Sequence, residues 1–250
     1  MPGATKPDAR APRLVRAADG AAQAQLLAAA IAAELKAALA GRASSASLVV
    51  SGGRTPTAMF AQLARQPLDW ARVQITLADE RWVAKDDPAS NEALVRATLL
   101  RERASVAQLV GMKNASPTPA AGAAAAWRCI NALPQPFDVV VLGMGDDGHT
   151  ASLFPGSAGL AAALDATAAP DCVPMQPLAA AHPRLSLNLA ALLRARRICI
   201  QISGAHKWQV YQRALAAGPL EELPVRAILR QQVVPVDVYW CPEAPQAARS

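Results

Sequence analysis

The chain has 250 residues, 52% of them apolar, enough to bury a sizeable core in one large domain or two small ones. It has no window of 18 strongly apolar residues, no apolar signal core near the N-terminus and no C-x-x-C among its four cysteines, which argues against a membrane span, secretion, a disulfide framework and a metal site; a cytoplasmic chain with reduced thiols is expected. The net charge of +6 suits a nucleic-acid binder, but the arginines are scattered and only 4% of residues are aromatic, so no nucleic acid is expected and the positive field can equally draw in a small anionic substrate.

Residues 1–13 read as a loose tail ahead of a single domain over 14–250. Asp19 is placed to cap a helix over about 21–40, where Leu27, Ile31, Leu35 and Leu39 form an i, i+4 ladder that Gly41 stops. A short apolar strand, Leu48-Val49-Val50, ends at Ser51-Gly52-Gly53, and Thr55-Pro56-Thr57 opens a second helix. Val73 to Leu77 reads as a strand ending at Asp79-Glu80-Arg81. Ser90 caps a helix holding Leu94, Leu99 and Leu100, and an alanine-rich helix spans roughly 119–132. Phe137 to Leu142 is the most apolar strand and is expected at the centre of a parallel sheet. Ile198 to Ile202 is another strand, followed by a helix from about Lys207, and Val236 to Trp240 is the last. Strand and helix alternate throughout, which predicts an α/β fold, Rossmann-like, with a mostly parallel sheet flanked by helices.

Sites in such sheets gather at the carboxyl ends of strands. That rule selects Ser51-Gly52-Gly53, Asp79-Glu80-Arg81, Gly143 to His149, and Ser203 to Lys207. The third contains G-x-G-x-x-G. A dinucleotide turn would have to open a long helix and be followed by a second strand ending in an acidic residue. Phe154-Pro155-Gly156-Ser157 interrupts any such helix, and no clear strand precedes Asp165 or Asp171. The glycines are better read as a sharp turn that brings Asp147 and His149 together, a carboxylate orienting an imidazole. The alternative is a capping aspartate and a structural histidine.

Several stretches together are similar to a known family: SGGRTP at 51–56, LADERWV at 77–83, SNEALVRATLL at 90–100, VVVLGMGDDGHTASLFPG at 139–156, HPRLSLNLAALLRARRICI at 182–200 and GAHKW at 204–208. They resemble 6-phosphogluconolactonases and, more distantly, glucosamine-6-phosphate deaminases. The resemblance implies a single Rossmann-like domain without a nicotinamide, no metal or cofactor, and hydrolysis of 6-phospho-D-glucono-1,5-lactone in the oxidative pentose phosphate pathway. The deaminases carry a glutamate five residues after the histidine of their D-G-H motif, where this chain has Phe154, and tend to have tyrosine where it has Arg81. Both differences favour the lactonase. Arg54 departs from the small residue many lactonases have after the two glycines, and Asn188 replaces a common threonine.

On this reading His149 is the general base and Asp147 orients it. Arg81 stabilises developing negative charge or fixes sugar hydroxyls, the alternative being a surface arginine paired with Glu80. Asp79 hydrogen-bonds sugar hydroxyls, or merely caps a turn. Gly52 and Gly53 offer backbone N–H groups to the phosphate, or form a plain strand-to-helix turn. Arg184, in an expected loop after His182-Pro183, and Lys207 are its cationic partners, or else solvated cations. A cation at a helix N-terminus opposes the helix dipole, which favours function for Lys207. No G-x-S-x-G elbow makes Ser152 a nucleophile. The partner expected is a small phosphorylated sugar lactone. The oligomeric state is open, with a monomer the simplest expectation. A deaminase and a noncatalytic sugar-phosphate binder are the rival classes.

Overall fold

The computed structural model describes residues 11–41, 44–177 and 181–242. The chain runs through β1 (Arg13–Arg16), α1 (Gly20–Gly41), β2 (Ala46–Val50), α2 (Thr57–Ala64) and β3 (Val73–Leu77). Next come β4 (Asp79–Arg81), α3 (Asn91–Thr98), β5 (Gln108–Val110), α4 (Pro119–Asn131) and β6 (Val139–Gly143). The last part holds α5 (Leu160–Ala163), β7 (Cys172–Met175), β8 (Arg184–Leu187), α6 (Leu189–Leu192), β9 (Ile198–Ser203), α7 (Ala205–Leu215), α8 (Val225–Leu229) and β10 (Val236–Cys241).

The main sheet has the order β1-β10-β9-β6-β2-β3-β5, every neighbour parallel. The expected central strand, β6, is fourth of seven, and Val139 to Leu142 are buried, as a strand covered on both faces requires. From β2 the chain moves outward through β3 and β5, then returns to the other side of β2 as β6 and moves outward again through β9 and β10. The order therefore reverses between β2 and β6, and a crevice opens at their carboxyl ends.

Local signals explain the helices. Asp19 accepts the Ala22 N–H at 2.8 Å and caps α1. By length and composition α1 could cross a membrane, but Leu27, Ile31 and Leu35 on its apolar side are fully buried in the core of this domain. Ser90 caps α3 by accepting from the Ala93 N–H at 3.1 Å. That helix ends at Thr98, so Leu99 and Leu100 lie beyond it rather than inside it.

A second, antiparallel sheet, β4-β8-β7, stands beside the first. It revises two expectations. Asp79 to Arg81 is not the tail of β3 but a strand of its own, and Arg184 is not in a loop but opens β8. β4 is three charged residues and carries no apolar alternation, so only pairing makes it a strand; β8 does alternate, Arg-Leu-Ser-Leu, a strand signal that the expected loop overlooked. The expected tail also ends early. Residues 1–10 lie outside the described residues, but Arg13 already opens β1, held by a two-pronged pair to Asp237 at 2.7 and 2.9 Å.

Candidate active site

The glycine turn after β6 does not lead into a helix. It folds back on itself, with the Gly145 N–H donating to the His149 carbonyl at 2.9 Å and the Gly148 N–H to the Gly145 carbonyl at 3.1 Å. Gly148 has φ +76°, a conformation that glycine adopts without strain. A Cβ on Gly145 would lie 2.1 Å from His149 Nδ1 and 2.6 Å from Asp147 Oδ1. Glycine is needed there to make room for the imidazole–carboxylate pair, and the turn exists to hold His149.

Asp147 Oδ1 lies 2.6 Å from His149 Nδ1 and also accepts the His149 backbone N–H at 3.1 Å. With the Nδ1 proton directed at the carboxylate, the neutral ring carries its lone pair on Nε2. Burial pushes the Asp147 carboxyl up, but the hydrogen bond and charge of His149 outweigh it and hold the group below the usual carboxylate range. Phe154 packs on the imidazole with ring centroids 4.1 Å apart. The Arg184 guanidinium lies 5.5 Å from the same phenyl ring.

The second wall comes from the small sheet. Arg81 and Arg184 are register partners across β4 and β8. Like charges placed opposite one another are destabilising. One acid is close: Asp79 Oδ2 is 4.0 Å from Arg184 Nη1 and accepts the Ser152 hydroxyl at 2.6 Å. Burial pulls the Arg184 guanidinium down, Asp79 opposes this and Arg81 adds to it. The Nε atoms of both arginines are buried without a hydrogen-bond partner. Two cations set side by side in the crevice lining form a wall suited to an anion. The alternative pairing of Arg81 with the Glu80 carboxylate is not observed. Glu80 is fully buried and accepts four bonds elsewhere: from the backbone N–H groups of Arg81, Asn91 and Glu92 at 2.7, 2.7 and 2.8 Å and from the Ser90 hydroxyl at 3.0 Å. Burial raises its carboxyl despite those bonds. Arg81 instead donates through Nη1 to the Ala89 carbonyl at 2.5 Å.

The third wall joins the loop after β2 to the start of α7. Gly53 has φ +93°, and the N–H groups of Gly52 and Gly53 donate to no described residue. Lys207 sits in the first turn of α7, just after Gly204 at φ +86°. These walls enclose a crevice of about 330 Å³, within the range of small-molecule sites.

Of the eight residues expected from sequence, Gly52, Gly53, Asp79, Arg81, His149, Arg184 and Lys207 line this crevice. Asp147 does not; it holds the imidazole from the side and is half exposed. His182 and His206 are not in the lining, and Ser152 faces Asp79 rather than His149. Sequence reasoning missed Asn91 and Gln201. Asn91 was hidden in a helix start. Gln201 could have been noticed as the one amide inside the apolar strand Ile198–Ser203; its Nε2 donates to Gln23 Oε1 at 2.9 Å. Among the described residues no cluster of three or more His, Cys, Asp or Glu side chains could hold a metal ion.

Fold and crevice together define an α/β enzyme built to act on a small anionic metabolite. The chain belongs to the family of glucosamine-6-phosphate isomerases and 6-phosphogluconolactonases, whose model matches residues 18–240. It is 43% identical over 221 residues to the 6-phosphogluconolactonase of Rhizobium meliloti, a match covering 88% of this chain and 95% of that one. It is 44% identical over 222 residues to that of Pseudomonas aeruginosa, covering 89% and 92%. The crystal structure of a 6-phosphogluconolactonase from Shewanella baltica matches with a TM-score of 0.89 at 45% identity, covering 93% of this chain and 99% of that one.

Proposed function

We propose that this protein hydrolyses 6-phospho-D-glucono-1,5-lactone to 6-phospho-D-gluconate, the lactone-opening step of the oxidative pentose phosphate pathway. The observation that carries this reading is one crevice holding a carboxylate-oriented imidazole, a two-arginine wall and a loop of unused backbone N–H groups beside a lysine. A phosphorylated lactone needs a base at one end and an anion site at the other.

In the reaction, His149 Nε2 takes a proton from a water as its oxygen attacks the lactone carbonyl carbon. The tetrahedral oxyanion forms towards Arg81. Its collapse breaks the bond between that carbon and the ring oxygen, and the imidazolium returns its proton to the departing oxygen. The product acid then ionises. Asp147 keeps the imidazole in the productive tautomer, and Asp79 orients sugar hydroxyls through the oxygen that Ser152 leaves free. The Gly52 and Gly53 N–H groups, Lys207 and Arg184 hold the phosphate.

Against the deaminase reading stands Phe154, an apolar ring packed on the histidine where the deaminases carry a glutamate. Against a pure binder stands the Asp147–His149 pair, which binding alone does not need. The test is the rate of opening of freshly generated 6-phosphogluconolactone with and without the protein, because the lactone also opens spontaneously. A rate equal to the spontaneous one, or ammonia release from glucosamine 6-phosphate, would overturn the proposal.

A further inference from the structure

The glycine loop that is to hold the phosphate is shaped by a side chain from another element. Asn91, the first residue of α3, is buried and lines the crevice. Its Nδ2 donates to the Asp79 carbonyl at 2.8 Å, and its backbone N–H donates to Glu80 Oε1 at 2.7 Å. The first bond fixes the carboxamide and the second the backbone that carries it. Its Oδ1 is buried, has no hydrogen-bond partner and lies against Gly52: a Cβ there would sit 1.8 Å from Oδ1 and 2.2 Å from Cγ. A Cβ on Gly53 would meet nothing within 4 Å, yet Gly53 has φ +93°. The two glycines thus meet different demands. Gly53 supplies a left-handed backbone, and Gly52 makes room for Asn91.

We propose that Asn91 is the positioning residue of the anion loop. Tied to the backbone of Asp79 and the carboxylate of Glu80, it holds Gly52 in place and so sets where the loop N–H groups point. The short strand β4 then governs both ends of the site. It carries Asp79 and Arg81 itself, and through Asn91 it fixes the distance from them to the phosphate. This inference rests on the proposed function.

The test compares Gly52→Ala, Asn91→Ala and the double variant, each checked for native-like melting, on 6-phosphogluconolactone. Loss of one charge-assisted contact corresponds to on the order of tenfold to a hundredfold, so each single change is expected to raise KM by about that much and to lower kcat far less. In the double variant the new methyl occupies the space Asn91 leaves, so KM should be no higher than in Gly52→Ala alone. A KM equal to the product of the two single effects would overturn the proposal. Asn91→Asp keeps the side chain's size but sets a negative charge against the loop. It should raise KM for the phosphorylated lactone much more than for unphosphorylated gluconolactone, and an equal rise for both would also overturn it. Calorimetric titration with inorganic phosphate separates this inference from the enzymatic reading. If the wild-type protein does not accelerate lactone opening, the function fails, whereas weaker phosphate binding in Asn91→Asp still upholds the loop assignment and unchanged binding ends it.

Discussion

Two glycine-rich turns stand side by side at the carboxyl ends of β6 and β2, and they do opposite things. The turn from Gly143 to His149 closes on itself: the N–H groups of Gly145, Gly148 and His149 bond within the turn, and Gly145 leaves room for the Asp147–His149 pair. The loop at Gly52 and Gly53 leaves its N–H groups open, and Gly52 leaves room for a side chain from α3. A base needs a side chain held in one orientation, whereas an anion site needs backbone donors with no other partner. Glycine serves both, so the motif alone does not say which. What the neighbouring side chains occupy decides it.

This contrast predicts a split between kcat and KM. The largest effect is expected in the closed turn. His149→Ala should melt like the wild type and lower kcat by on the order of 10²–10⁴-fold, read by initial rates on fresh lactone. Near-wild-type kcat in the folded variant would remove the base from the mechanism. On the anion side, Arg184→Ala and Lys207→Ala should each mainly raise KM, by roughly 1.5–3 kcal/mol of binding, because phosphate contacts exist in ground and transition states alike. Unphosphorylated gluconolactone should be a poor substrate and nearly indifferent to both changes. Equal activity of the wild type on the two lactones would erase the distinction between the regions.

A subtler test moves charge between them. Phe154 touches both the imidazole and the Arg184 guanidinium. Phe154→Glu would place a second carboxylate beside the histidine and favour its protonated form. The rising acidic limb of the pH–rate profile should move to higher pH, and an unmoved limb would separate residue 154 from the base. No ammonia release from glucosamine 6-phosphate is expected from this variant, since Arg81 still stands where the deaminases tend to carry tyrosine.

The smallest effect concerns stability. His149 holds the Asp147 carboxyl below its unfolded value, so the stabilisation is present above the ordinary aspartate range, near ~3.9, and is lost as pH falls through the lower folded value. Because Asp147 is half exposed, the pair contributes no more than about 1 kcal/mol. Asp147→Asn should melt slightly below the wild type at neutral pH, and the gap should close at acid pH. A gap that persists there would point to packing rather than charge.

What the sequence by itself determined was whatever depends on neighbours along the chain. The apolar run at Val139 to Leu142 required a buried strand, the ladder Leu27-Ile31-Leu35-Leu39 behind Asp19 required a capped amphipathic helix, and the glycines around Asp147 and His149 required a tight turn with the two side chains together. Alternation of strand and helix then required a parallel sheet with its site at the carboxyl ends. Only the tertiary structure decided the small antiparallel sheet, because Asp79–Arg81 is too short and too charged to show a period and the alternation of Arg184–Leu187 does not say which strand it pairs with across the fold. For the same reason the opposition of Arg81 to Arg184, the seat of Asn91 against Gly52 and the bond from Gln201 to Gln23, 178 residues away in the chain, could not be read in advance. Periodicity records which face a residue takes within its own element, whereas the partner across the fold is set by how the elements pack.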